Sequence, residues 1–199
     1  MSASFVPDDF VVPVELITPE FRLEPLGPQH NAEDLAAWTG SIEHIRATPG
    51  FLDRSWPPVA GMTSEENLRD LREHAEDFAR RRGFTYTVIE TASGEVIGCL
   101  YIYPPHVDES RADASGADDS QGGVSGAGGS EADASGDDGS DADTSRADGP
   151  NTSKADGFAA DVRSWVRADR AALDAPLYAA VSAWLAAHWP FRRVTYAPR

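Results

Sequence analysis

The sequence predicts an α/β (α+β layered) domain with a mixed, mainly antiparallel sheet flanked by helices. Strand patterns and helical stripes follow one another in the order strand, helix, helix, strand, strand, strand, helix, strand. Two strand patterns, FTYTVIE and EVIGCLYIY, are separated by a short turn, which makes an antiparallel hairpin. The later helices carry their apolar residues on one face, as helices that cover a sheet do.

The elements are justified in turn. Glu20–Leu26 alternates and reads as a short first strand. Pro28–Trp38 carries Leu35, Ala36 and Trp38 at helical spacing, and Ser41–Ala47 reads as a short continuation broken before Pro49-Gly50. Thr63 is a strong N-cap, and Glu66 three residues on completes a capping box. Leu68, Leu71, Ala75 and Phe78 then form one stripe. Arg80-Arg81-Arg82 are expected in the last turn, where cations suit the helix dipole, with Gly83 ending the helix. Phe84–Glu90 and Glu95–Tyr103 make the hairpin across Thr91–Gly94, and Pro104-Pro105 end it. Ala160–Ala168 is another strand. Asp174 is expected to N-cap a helix with Pro176 in its first turn and Leu177, Val181, Trp184, Leu185 and His188 on one face. Pro190 stops that helix, and Arg192–Ala197 is the last strand.

Between these halves lies a segment of different composition. Residues 108–157 hold 13 acids and three bases, and Val124 is their one large apolar side chain. Such a segment cannot bury enough apolar area to offset its ordering entropy, so it is expected to be a disordered acidic insert within a single 1–199 domain. Its aspartates near Asp137, Asp141 and Asp143 lack the glutamate that closes a calcium loop, and no metal site is expected.

The whole chain has a net charge of −16, of which −6 lies outside the insert. That field repels phosphate backbones, so nucleic-acid binding is not expected. MSASFVPDDF has no basic and apolar leader pattern, and no apolar run approaches the roughly 20 residues of a membrane span. A cytoplasmic protein without membrane contact is the simplest expectation. Sixteen arginines against the single Lys154, with 20 aspartates, suggest a salt-rich cytoplasm. The melting temperature is therefore expected to rise steeply from dilute buffer to molar KCl, measured by circular dichroism; a flat response would remove the halophilic reading.

VELITPEFRLEPLGPQHNAEDLAAW, FTYTVIETASGEVIGCLYIYP and ADVRSWVRADR, in this order, resemble the GNAT superfamily of acetyl-CoA-dependent N-acetyltransferases, the first segment its branch acting on protein N-termini and small amines. The resemblance spans nearly all of the chain outside 108–157. It implies acetyl transfer from acetyl-CoA to a small-molecule or peptide amine. It also implies that the backbone at Trp165, Val166 and Arg167 pairs with the pantetheine arm, and that Arg170 and the helix start at Ala175 face the pyrophosphate. The family's loop pattern R/Q-x-x-G-x-G/A is met by Arg170 and Ala175. Leu173 replaces its first glycine, with Asp174 beside it, where phosphate oxygens would approach and where the aspartate would cap the helix itself. The family continues past its fifth strand with a helix and two strands, the helix often carrying a tyrosine that protonates the thiolate. This sequence stops at Arg199, so no such tyrosine is assigned, and the resemblance implies that the acceptor wall is missing unless Phe5–Val14 or a partner chain supplies it.

Base candidates are Glu43 and His44, clustered with Arg46, and Tyr101 or Tyr103 on the hairpin. His74 and His188 read as structural, Cys99 as a buried inert thiol, and Trp165 and Trp184 as core. Two further readings remain open: a catalytically degenerate GNAT-like binding protein, and an assembly module whose open edge at Val194–Ala197 pairs with a second copy to make a homodimer.

Overall fold

A computed structural model describes residues 4–52, 54–105 and 157–199. Within the insert, residues 108–156 lie outside the described residues, as does Asp53.

Six strands form one sheet whose spatial order is its chain order: β1 (Leu16–Ile17), β2 (Phe21–Pro25), β3 (Phe84–Glu90), β4 (Val96–Tyr103), β5 (Phe158–Val166) and β6 (Phe191–Tyr196). The first four pairings are antiparallel, and β5 pairs with β6 in parallel. A parallel neighbour needs a crossover, here supplied by α4 (Asp174–His188). The mixed, mainly antiparallel sheet is the predicted one. β1 was not anticipated, because two residues carry no readable alternation.

Both faces of the sheet are covered, which is why β3 is buried along nearly its whole length. On one face Leu23, Tyr86, Leu100 and Val162 pack against Leu177, Val181, Trp184 and Leu185 of α4. Phe5 and Val6 join this cluster, and Phe5 stacks on Phe84 and Phe191 at 5.7 and 5.2 Å. The N-terminal segment thus builds core on the α4 side. The other face carries α1 (Asn31–Thr39), α2 (Ile42–Ala47) and α3 (Ser64–Ala79), with Trp38, Ile45, Phe51, Leu71, Cys99 and Trp165 buried between.

The capping box of α3 forms as read: Glu66 N donates to Thr63 Oγ1 at 3.2 Å and Thr63 N donates to Glu66 Oε2 at 2.8 Å. Thr63→Ala is expected to cost about 1 kcal/mol, read by urea denaturation. The end of α3 differs from expectation. The helix stops at Ala79, Arg80 is its C-cap, and Arg81 takes the left-handed position with φ 58°. The three arginines therefore follow the last turn rather than form it. Arg81 Nη2 donates to the carbonyls of Pro7 and Phe10 and ties down the N-terminal segment. Arg80 and Arg82 pair with Glu76 and Asp77. Gly83 serves another purpose, since a Cβ there would lie 2.2 Å from the Tyr103 ring.

Gly98 governs the centre of the sheet. The β3–β4 register shifts between Val88 and Ile89, and Gly98 pairs with Val166 of β5. A Cβ on Gly98 would stand 2.1 Å from the Trp165 carbonyl oxygen, so the two backbones approach as only glycine allows. Among the described residues no helix is long and apolar enough to cross a membrane.

Candidate active site

The site is built where β5 loses one neighbour. On its β4 side, β5 stays paired as far as Gly98↔Val166. On its β6 side, pairing stops at Val162↔Tyr196. From Arg163 onward β5 therefore borders a slot, closed at one end by the start of α4. Residues two apart along a strand direct their backbone groups to the same side, so Ser164 and Val166 both face this slot.

Three side chains that sequence reasoning missed fill it. The hydroxyls of Ser164 and Tyr196 share a hydrogen bond of 2.6 Å. Arg199, with only 4% of its side chain exposed, donates from Nη2 to the Ser164 carbonyl at 2.7 Å and to Ser164 Oγ at 3.2 Å. Its Nη1 donates to the carbonyls of Ala197 at 2.8 Å and Pro49 at 3.2 Å. Its Nε stands 2.7 Å from Asp174 Oδ2, and its guanidinium lies 5.6 Å from the Tyr196 ring. Burial raises the Tyr196 hydroxyl to about 12. The one signal in the sequence was Pro198, which cannot extend β6 and turns the chain beyond it.

Asp174 departs from expectation. It is the first residue of α4 rather than its cap, the cap position belongs to Leu173, and no side chain caps the helix. The Asp174 carboxylate is drawn instead to Arg199, the one cation paired with it among the described residues. The backbone N–H groups of the first turn are therefore not consumed by a carboxylate. Leu173 is half-buried and packs against the α4-side core, and Ala175 is exposed at the helix start.

The loop between β5 and α4, residues Ala168–Leu173, is a short 3-10 segment held by ion pairs. Arg167 grips both oxygens of Asp169, at 3.0 and 2.7 Å, and reaches Glu95 at 3.0 Å. Arg170 grips both oxygens of Glu90, at 2.9 and 3.2 Å, and meets Asp169 at 2.9 Å. Hydrogen bonds, from Arg167 to Asp169 and from Ser93 then Arg170 to Glu90, hold both carboxyls below their usual range. Arg170 and Arg167 are thus bound to their own chain's carboxylates. Beside them a cavity of about 650 Å³ opens between the end of α1 and the β3–β4 turn, bordered by Glu33, Glu95, Asp169 and Arg167. Ser41 Oγ accepts from the Ala168 N–H at 3.0 Å on its wall.

The base candidates scatter. Glu43 is exposed on α2. His44 is half-buried, and its Nε2 has no hydrogen-bond partner. No hydrogen bond or ion pair joins either to Ser164, Trp165, Tyr196 or Arg199. Arg46 is spent on the carbonyls of Ser55 and Pro57. Tyr101 lies on the α1–α3 face, where its oxygen accepts from Trp165 Nε1 at 3.3 Å and burial pushes its hydroxyl well above the usual range. Tyr103 OH lies 2.9 Å from His74 Nδ1 and 3.2 Å from Asp77 Oδ2. Burial lowers the pKa of the His74 ring from its ordinary value. His188 is exposed in the last turn of α4. Cys99 is fully buried, its Sγ 3.5 Å from Asp34 Oδ1, and burial raises its thiol far above the reactive range. Trp165 is core, as read, and Val166 is buried at the slot. Among the described residues no group of three or more His, Cys, Asp or Glu is placed to hold a metal ion.

No protein-family model matches the chain, and no curated protein does. Among solved structures, it is similar to a ribosomal-protein-S5-alanine acetyltransferase from Vibrio fischeri. The identity is 9% and the TM-score 0.47, over 87% of this chain and 67% of that one. A putative GnaT-family acetyltransferase from Bordetella pertussis gives 14% identity and a TM-score of 0.45, over 92% of this chain and 77% of that one.

Proposed function

We propose that this protein is an acetyl-CoA-dependent N-acetyltransferase acting on a small-molecule or protein amine. The observation that carries the reading is the slot beside β5. A linear ligand with amide groups can pair with the backbone at Ser164 and Val166 as an added strand would. The start of α4 at Ala175, with its first-turn N–H groups not capped by a side chain, lies next to it and favours a diphosphate. Acetyl-CoA combines these two features, and supplies a thioester to an attacking amine. The chain's own contribution is positioning: β5 backbone N–H groups hold the arm and face the carbonyl oxygen as its charge develops. The amine attacks the thioester directly, with no acyl-enzyme. Titration calorimetry with acetyl-CoA across a KCl series tests this; micromolar binding is the expected result, and absence of heat at every salt concentration removes the reading.

A second reading is favoured by one observation. Arg167 and Arg170 are committed to three carboxylates, Glu90, Glu95 and Asp169, so the charge cluster around the loop that would meet a diphosphate is net negative by one. This suits a catalytically degenerate protein that binds a partner. β6 ends the sheet and Val194 is 38% exposed, so pairing of two β6 edges would give a homodimer. Light scattering in the same buffers distinguishes them, and a strict monomer counts against edge pairing.

A further inference from the structure

The slot beside β5 is not open in this structure. Its centre is occupied by the guanidinium of Arg199, which takes the Ser164 carbonyl as a neighbouring strand or a ligand amide would. The occupant is held differently from the rest of the sheet. β6 ends at Tyr196, and the residues beyond it belong to no strand. Arg199 reaches the slot only through its side chain, donating to the carbonyls of Pro49, Ser164 and Ala197 and forming an ion pair with the Asp174 carboxylate. A buried cation is tolerated when paired, and Asp174 is the only carboxylate in contact with it among the described residues.

We propose that Arg199 is a removable plug of this slot, latched by Asp174, and that the pantetheine arm of acetyl-CoA binds only when the guanidinium has swung out. The proposal rests on the acetyl-CoA reading above and deepens it into a regulation of the same site. The exchange replaces the backbone hydrogen bond and gives up the weaker Arg199 Nη2 bond to Ser164 Oγ at 3.2 Å. An amide N–H of the arm takes the Ser164 carbonyl that Arg199 Nη2 releases. The Ser164–Tyr196 hydroxyl pair does not need Arg199 and stays. Asp174 loses its partner, so the charge on Asp174 is what opposes opening. The carbonyls of Pro49 and Ala197 are recovered by water.

A ligand that requires a minor open state binds with its intrinsic affinity reduced by the open fraction. If the plug is out in about a tenth of molecules, removing it tightens binding about tenfold. The experiment is calorimetric titration of acetyl-CoA into the full chain and into Arg199→Ala and Asp174→Asn, each checked for a native circular dichroism spectrum. The second variant keeps the guanidinium but removes the latch, which guards against loss of folding in the first. Tighter binding in a folded variant supports the plug, as does binding by a variant when the unaltered chain shows none. Equal or weaker binding in both variants overturns the plug and leaves the acetyltransferase reading standing. Absence of binding in all three folded proteins overturns the acetyltransferase reading, and the plug with it.

Discussion

A Gly98→Ala chain is expected to lose roughly 3 kcal/mol of stability, the upper end of what one added methyl costs in a packed interior. The cost is high because the methyl would meet backbone, not a side chain that can rotate away. The added carbon would lie 2.1 Å from the Trp165 oxygen and 3.1 Å from both the Trp165 carbonyl carbon and Val166 Cα. Relief requires β4 and β5 to part at their Gly98↔Val166 pairing, and the Arg167 N–H bond to the Ile97 carbonyl, 2.7 Å long, lies beside it. Urea denaturation of the variant reads the loss as a lower midpoint at unchanged slope. A second consequence follows from position. Val166 faces the slot, so the variant should weaken acetyl-CoA binding even where it remains folded. A loss below about 0.5 kcal/mol, the size of an ordinary surface substitution, would show that the two strands are not in contact as described.

Asp34→Asn is expected to stabilise the protein at neutral pH and to remove a pH dependence. Asp34 is buried between α1 and β4, where Cys99 Sγ lies 3.5 Å from one oxygen and Asn67 Nδ2 donates to the other at 3.1 Å. Burial raises its carboxyl pKa above the usual range, against the lowering effects of Asn67, Cys99 and His30; Asp70 adds a smaller raising effect. A carboxyl raised on folding binds its proton more tightly in the native state. Stability therefore falls as the pH rises from the ordinary value of 3.8 through the folded value, and the penalty is complete above it. His74 has the opposite sign. Its folded value is lowered from 6.5, so its contribution is full above that pH and is lost as the pH falls through the folded value. The unaltered chain should thus lose stability above pH 3.8 from Asp34 and below pH 6.5 from His74. Asparagine keeps one oxygen to accept from Asn67 while the charge disappears. Thermal melts from pH 4 to 8 should show the falling limb gone in Asp34→Asn and the His74 limb unchanged. Identical profiles for the two proteins would refute the assignment.

The parts of the fold legible in the sequence are those set by local chemistry. FTYTVIE and EVIGCLYIY announced β3 and β4 because strand pattern and turn agree there, and Thr63 with Glu66 located the start of α3 to the residue. The end of α3 was misplaced because Gly83 looked like the left-handed cap, whereas its Cβ is excluded by Tyr103, a neighbour twenty residues away in sequence. Asp174 was misread for a similar reason. Aspartate beside a helix start is a good cap, until a buried arginine twenty-five residues later competes for the same carboxylate. The end of β5 and the start of α4 were legible from local pattern, and Trp165, Val166, Arg167, Arg170 and Ala175 lie around them; their role in binding belongs to the proposal. What occupies the slot was not legible. Ser164, Tyr196 and Arg199 meet because pairing with β6 ends at Val162, four residues short of the end of β5, and no local pattern encodes that mismatch.

Because spatial and chain order of the sheet coincide, its assembly is a sequence of nearest-neighbour closures. The β3–β4 closure spans only the residues between Glu90 and Val96 and should be fast. Two others, Pro25 to Phe84 and Tyr103 to Phe158, each bring together strands more than fifty residues apart. The first of these encloses three helices, which are themselves local contacts. The second encloses the acidic segment, which adds chain length, and so closure entropy, to the pairing of β4 with β5. Loop entropy grows only with the logarithm of length, so replacing residues 106–156 by a short turn should raise stability by only about 2 kcal/mol. The larger consequence is kinetic: the shortened chain should refold faster while unfolding at nearly its original rate, because β4–β5 closure then becomes as local an event as the hairpin before it.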